Sequence, residues 1–223
     1  MPNIGAHLRI TAEYTHSRSP DILLGSVVSD FDSMFRDYYG NPAVIGASRP
    51  EFEATKHLNA QTDVVHDALP IRKDCVRWLL DRVEPHNGKL VARQAAYSWS
   101  DLAFDGLHFM EDELTGELFK QVGEQVLAGT TGLEQYRPDR AYIAYVKGYF
   151  AEGIPLRYRA GDFLANSLVS RLRHRRRPIL DTDFDIDNLS ETFNDFFKEF
   201  DGMGVSKALL DGTVDNLRKY HDR

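Results

Sequence analysis

The sequence predicts an all-α fold, one domain of about eight to ten helices. Apolar residues recur at three- and four-residue spacing along most of the chain, and strand-like alternation is absent over any useful length. No internal repeat, low-complexity tract or long linker divides the 223 residues, so 1–223 read as one unit. Hydrophobic residues at 42% and charged residues at 27% suit a globular protein with a real core.

The first clear helix start is Ser19-Pro20-Asp21, a serine cap, proline in the first turn and an acid facing the positive end of the dipole. Leu23, Leu24, Val27, Val28, Phe31, Met34 and Phe35 then form an apolar stripe. Asp30 abuts that stripe. It is either at the edge with its head in water, or paired, hydrogen-bonded or metal-bound to offset desolvation. Residues 38–49 are rich in Gly, Pro, Asn and Ser and read as a loop.

Ser48 and Pro50 open a helix through Lys56–Pro70, a stretch with two histidines and two aspartates. Thr55, Asn59, Asp63 and His66 fall on one of its faces, either a solvated polar face or a column of donors for an ion. A turn at Asp67–Pro70 leads to a helix to Val83 that buries Val76, Leu79, Leu80 and Val83, closed by Glu84–Gly88. A long helix, Lys89 to Glu113, follows; Tyr97, Trp99, Leu102, Phe104, Phe109 and Met110 give it apolar surface on several sides and place it centrally. Asp101, Asp105 and His108 form a second column on it, a polar seam or a site.

Leu114 to Gly132 is an ordinary amphipathic helix, and Pro138 starts another with aromatics at core spacing. Helix formers resume at Arg159 and run into Arg171, Arg173, Arg175, Arg176 and Arg177 before Pro178. Cations there favour the helix dipole and can also meet an acidic partner. Asp181 to Asp187 is an acidic connector that lacks the glycine and final acid of a calcium loop. Helices at Leu189–Phe200 and Ser206–His221 complete the chain.

A net charge of −7 argues against general nucleic-acid binding. Cys75 is the single cysteine and cannot form an internal disulfide, which makes a reducing cytoplasm the simplest compartment. The N-terminal residues lack a secretory pattern, and no apolar run nears the ~20 residues of a membrane span. A cytoplasmic protein is expected.

Three stretches together resemble the acyl carrier protein phosphodiesterases, all-helical proteins regarded as distant relatives of the HD-type metal phosphohydrolases. Ala6-His7-Leu8 with residues 25–31 (GSVVSDF) is similar to that family's opening AHL and G-N-L-L-A-D-F. Thr62-Asp63 with Pro70 is similar to its H-x-x-I-D-x-x-T-D segment. Glu152 to Arg159 (EGIPLRYR) with Asp162-Phe163, Arg176 and Pro178 is similar to its C-terminal pattern. Asp101 and Asp105 sit at the family's D-x-x-x-D-H element. The likeness spans residues 4 to 200.

The resemblance implies an HD-like fold and a metal-dependent hydrolase that releases 4′-phosphopantetheine from a carrier protein. Asp30, Asp63 and Asp105 are the implied catalytic residues. The ion, Mn²⁺ or Mg²⁺ for so oxygen-rich a set, draws on His7, Asp30, Asp63, His66, Asp67, Asp101, Asp105 and His108. The basic run from Arg171 to Arg177 is the expected contact for an acidic acyl carrier protein. The chain departs from the family at Thr55, Asn59 and Gly106, where it has a His, an Asp and a His. His57, His66, Asp67 and His108 are the available replacements. Two other readings stand beside this one: an HD-like hydrolase of a small phosphorylated metabolite, and a non-catalytic helical binding protein.

Overall fold

Helical spacing of apolar residues becomes helix throughout. The structure, a computed structural model, describes residues 4–27, 50–111, 113–133, 157–175, 184–201 and 204–221, and no strand occurs among them. The protein is all-α. Among the described residues, no helix is long and apolar enough to cross a membrane.

Helix α1 is Ile4–Thr15, and α2 is described over 20–27. Helix α3 is Pro50–Ala68 and α4 is Pro70–Gln94. A π-helical turn, Ala95–Trp99, leads without a break into α5, Ser100–Glu111. Then come α6 (Glu113–Leu133), α7 (Gly161–Arg175), α8 (Ile186–Asp201) and α9 (Val205–His221).

Two helix starts lie where their prolines place them, α2 at Pro20 and α3 at Pro50. The Ser19 carbonyl accepts the Leu23 N–H at 3.0 Å, as the residue before a first turn should. The expected break after Val83 is a corner inside α4: Gly88 has φ 77° and ψ 165°, a backbone that glycine adopts without strain. Asn87 holds this corner to the start of α8, donating to Asn188 Oδ1 at 3.1 Å and accepting from the Asp185 N–H at 2.9 Å.

The expected central helix follows from residue 89 to 111, with Trp99, Leu102, Phe104 and Leu107 buried. It differs from expectation in its π-helical turn, in which Tyr97 is 57% exposed. Helix α8 begins three residues before the expected Leu189. The Asp185 carboxylate accepts the Asn188 N–H at 2.9 Å and caps the helix, so the end of the acidic connector is a helix start. The expected helix from Pro138 lies outside the described residues.

Helix α1 is buried on two sides. Ile4, Leu8 and Ala12 join the main core, while Ala6 and Ile10 meet Leu58, Val214 and Leu217 in a smaller one. The main core is built on Trp99, Phe104, Phe193 and Phe196. Burying each such side chain contributes roughly 1.5–3 kcal/mol. The Trp99 indole N–H, which needs a partner inside a core, donates to Ser167 Oγ at 2.7 Å. In this frame α1, α3, the start of α4 and α5 come together, and these elements carry the candidate residues.

Candidate functional site

Asp105 lies on the buried face of α5, wholly enclosed. Its two carboxylate oxygens accept the backbone N–H groups of Gly5 at 3.2 Å and Ala6 at 3.0 Å. These are orphan donors of the first turn of α1, so Asp105 caps that helix from 100 residues away. Burial pushes its carboxyl up to about 8, against the two N–H groups and the nearby His7, which lower it.

By fixing the start of α1, Asp105 also fixes His7, the next residue along. The buried His7 imidazole places Nε2 3.1 Å from Asp63 Oδ1 on α3. The Asp63 side chain is 61% exposed, so this pair runs from the interior to solvent. Three expected residues from α1, α3 and α5 are thereby brought together.

A second group centres on Arg72, which is 2% exposed. Its Nη2 donates to Asp101 Oδ1 at 2.6 Å and to the Tyr97 carbonyl at 3.3 Å. Its Nη1 donates to Ser100 Oγ at 2.9 Å and to the Ala96 carbonyl at 3.3 Å. Ala96 and Tyr97 belong to the π-helical turn, so that turn forms one wall of the arginine's seat. Asp67 Oδ1 stands 3.6 Å from Arg72 Nε and 3.8 Å from His66 Nδ1. The His66 contact first, then Arg72, hold the Asp67 carboxyl below its ordinary value despite its partial burial. Burial pushes Asp101 the other way, and the Arg72 contact opposes it. The buried His66 ring packs edge-on against Phe104 at 6.4 Å, and among the described residues its Nε2 has no hydrogen-bond partner.

Of the eight expected metal residues, His7 pairs with Asp63, Asp105 accepts the backbone N–H groups just before His7, and His66, Asp67 and Asp101 lie around Arg72. Asp30 and the His108 side chain lie outside the described residues. An imidazole nitrogen and a carboxylate at His7–Asp63, with a second carboxylate behind, suit Mn²⁺ or Mg²⁺ in chemistry. Among the described residues no group of three or more His, Cys, Asp or Glu stands ready to hold an ion. On the other side the cation that Asp67 and Asp101 face is a guanidinium.

The three departures have structural roles. Thr55 Oγ1 donates to the Ile22 carbonyl at 2.9 Å, and Asn59 Nδ2 to the Ser26 carbonyl at 2.9 Å, which joins α3 to α2. A Cβ on Gly106 would lie 2.7 Å from Arg159 N and 2.8 Å from the Tyr158 carbonyl carbon, so only glycine allows that approach. His57 is exposed. In the basic run, Arg171 lies over the Trp99 ring at 5.7 Å and Arg173 over the Phe184 ring at 5.5 Å. The Arg175 side chain, Arg176 and Arg177 lie outside the described residues.

Sequence reasoning missed Arg72, although a signal was present. Arg72, Cys75, Val76, Leu79 and Val83 follow helical spacing and all are buried, so a charge stands on an apolar stripe, the same anomaly that singled out Asp30. Comparison of the chain with protein-family models, curated proteins and solved structures gave no match.

Proposed function

We propose that this chain is a phosphodiester hydrolase of the acyl carrier protein phosphodiesterase kind, HD-like in fold, with the 4′-phosphopantetheine arm of an acidic carrier protein as its implied substrate. The observation that carries the reading is the pairing of His7 Nε2 with Asp63 Oδ1 at 3.1 Å, beside the Gly5 and Ala6 N–H groups that Asp105 accepts. His7, Asp63 and Asp105 with Asp30 would hold a divalent ion, Mn²⁺ or Mg²⁺. When bound, the ion would activate water and offset charge on the phosphoryl oxygens. The chain's own part is positional: Asp105 anchors the start of α1 and thereby sets the imidazole, and Asp63 joins it to solvent.

The test is turnover of bis(p-nitrophenyl) phosphate by wild type and Asp63→Ala, with Mn²⁺ and with EDTA. Turnover that needs Mn²⁺ and is lost in Asp63→Ala supports the reading. Absence of turnover in wild type with Mn²⁺ rejects it.

A second reading, a non-catalytic binding protein, is favoured by Arg72. A guanidinium already neutralises Asp67 and Asp101, and Thr55, Asn59 and Gly106 serve helix packing. It predicts a folded protein that binds a phosphorylated ligand and leaves it intact.

A further inference from the structure

An open groove of about 450 Å³ runs along the outer face of α4 toward the Asp67–Arg72 pair. That volume is in the range of small-molecule sites. Lys73, Val76, Arg77 and Leu80 line it at i, i+3, i+4 and i+7, one helix face, and Tyr97 stands across from them.

The charges in this groove are unusual for the molecule. The chain carries −7 overall, yet Lys73 and Arg77 stand one turn apart and exposed. Like charges at that spacing weaken a helix. Among the described residues, Arg9, Arg72, Lys198 and Lys207 form ion pairs, and neither Lys73 nor Arg77 has one. Asp74 and Asp81, helical neighbours of Arg77, do not line the groove. Asp67 is the one acid that does, and it faces Arg72 and His66. Tyr97, in the π-helical turn, is one of the few large apolar side chains exposed among the described residues. Val76 and Leu80 add apolar lining beside the two cations.

We propose that this groove binds a small phosphate ester with a flat apolar body. Lys73 and Arg77 take the phosphate oxygens, Tyr97 stacks on the body, and Val76 and Leu80 pack beneath it. The site lies outside the His7–Asp63–Asp105 group and stands whether or not that group hydrolyses a phosphodiester.

The experiment titrates ADP, inorganic pyrophosphate and adenosine into the full chain by calorimetry at fixed ionic strength. Wild type should bind ADP saturably with a Kd below about 1 mM, pyrophosphate more weakly and adenosine most weakly. Lys73→Glu combined with Arg77→Glu should weaken ADP at least about ten-fold, since two charge-assisted contacts are lost. Tyr97→Ala should weaken ADP and leave pyrophosphate unchanged, a split that a general charge effect would not produce. Reversing the paired Lys198 and Lys207 should change neither. All substituted side chains are exposed, and circular dichroism checks that each variant is folded. ADP affinity unchanged in the Lys73/Arg77 double variant overturns the proposal. So does saturable binding of a polyglutamate peptide with no binding of ADP or pyrophosphate, which would assign the groove to an acidic protein segment.

Discussion

Arg72 is the residue whose removal should cost most. Its guanidinium is enclosed and makes four hydrogen bonds, one of them to Asp101 at 2.6 Å. Arg72→Met would leave the partly buried Asp101 carboxylate without its cation. Breaking a fully buried pair from one side costs about 3–5 kcal/mol, and the 21% exposure of Asp101 puts this loss at the lower end. Urea denaturation should show a loss of that order. Adding Asp101→Asn should restore part of it, because the uncompensated charge is then gone. A loss no larger in Arg72→Met than in an exposed Arg→Met control would mean that the pair is not stabilising the fold.

Asp105 makes stability depend on pH. Its folded value is about 8 against an ordinary 3.8. Between those values the folded state keeps a proton that the unfolded chain has released, so stability should fall as pH rises through that window. The slope for one group is at most about 1.4 kcal/mol per pH unit, and it ends above the folded value. Thermal melts of metal-free protein in EDTA should show this decline, and Asp105→Asn should flatten it. Wild-type and variant curves of equal slope would contradict the assignment.

At the scale of elements, α5 makes a close backbone approach at Gly106. Gly106→Ala would push a Cβ into the backbone of Tyr158 and Arg159, which neither side can yield cheaply. Overpacking of this kind costs about 1–3 kcal/mol, readable as a lowered denaturation midpoint with an unchanged slope. A variant as stable as wild type would show that the approach is looser. Helix boundaries were legible where a proline, a glycine or a cap marks them: Pro20, Pro50, Pro70 and Gly88. The π-helical turn, which holds the exposed Tyr97, was not legible, because one extra residue in a winding leaves no residue-type signature. The start of α8 was misread because Asp185 was taken with its acidic neighbours and not as a cap.

At the scale of the whole molecule, the all-α class followed from periodicity alone. The sequence predicts Asp30, Asp63, Asp101 and Asp105 at one place with His7 and His66. Among the described residues His7 pairs with Asp63, Asp105 accepts the backbone N–H groups just before His7, and Asp101 lies with Arg72. The division of the remaining acids around Arg72 could not be read, since helical spacing tells which residues share a face and not which helix supplies the cation. The central claim is that His7, Asp63 and Asp105, with Asp30, form an ion site. Calorimetric titration of Mn²⁺ into wild type, Asp30→Ala, Asp63→Ala and His66→Ala tests it most directly. Wild type should bind one ion with a Kd below about 1 mM, Asp30→Ala and Asp63→Ala should lose it while staying folded, and His66→Ala should retain it because His66 belongs to the Arg72 group. No binding heat in wild type at about 10 mM Mn²⁺, or loss only in His66→Ala, would contradict the account.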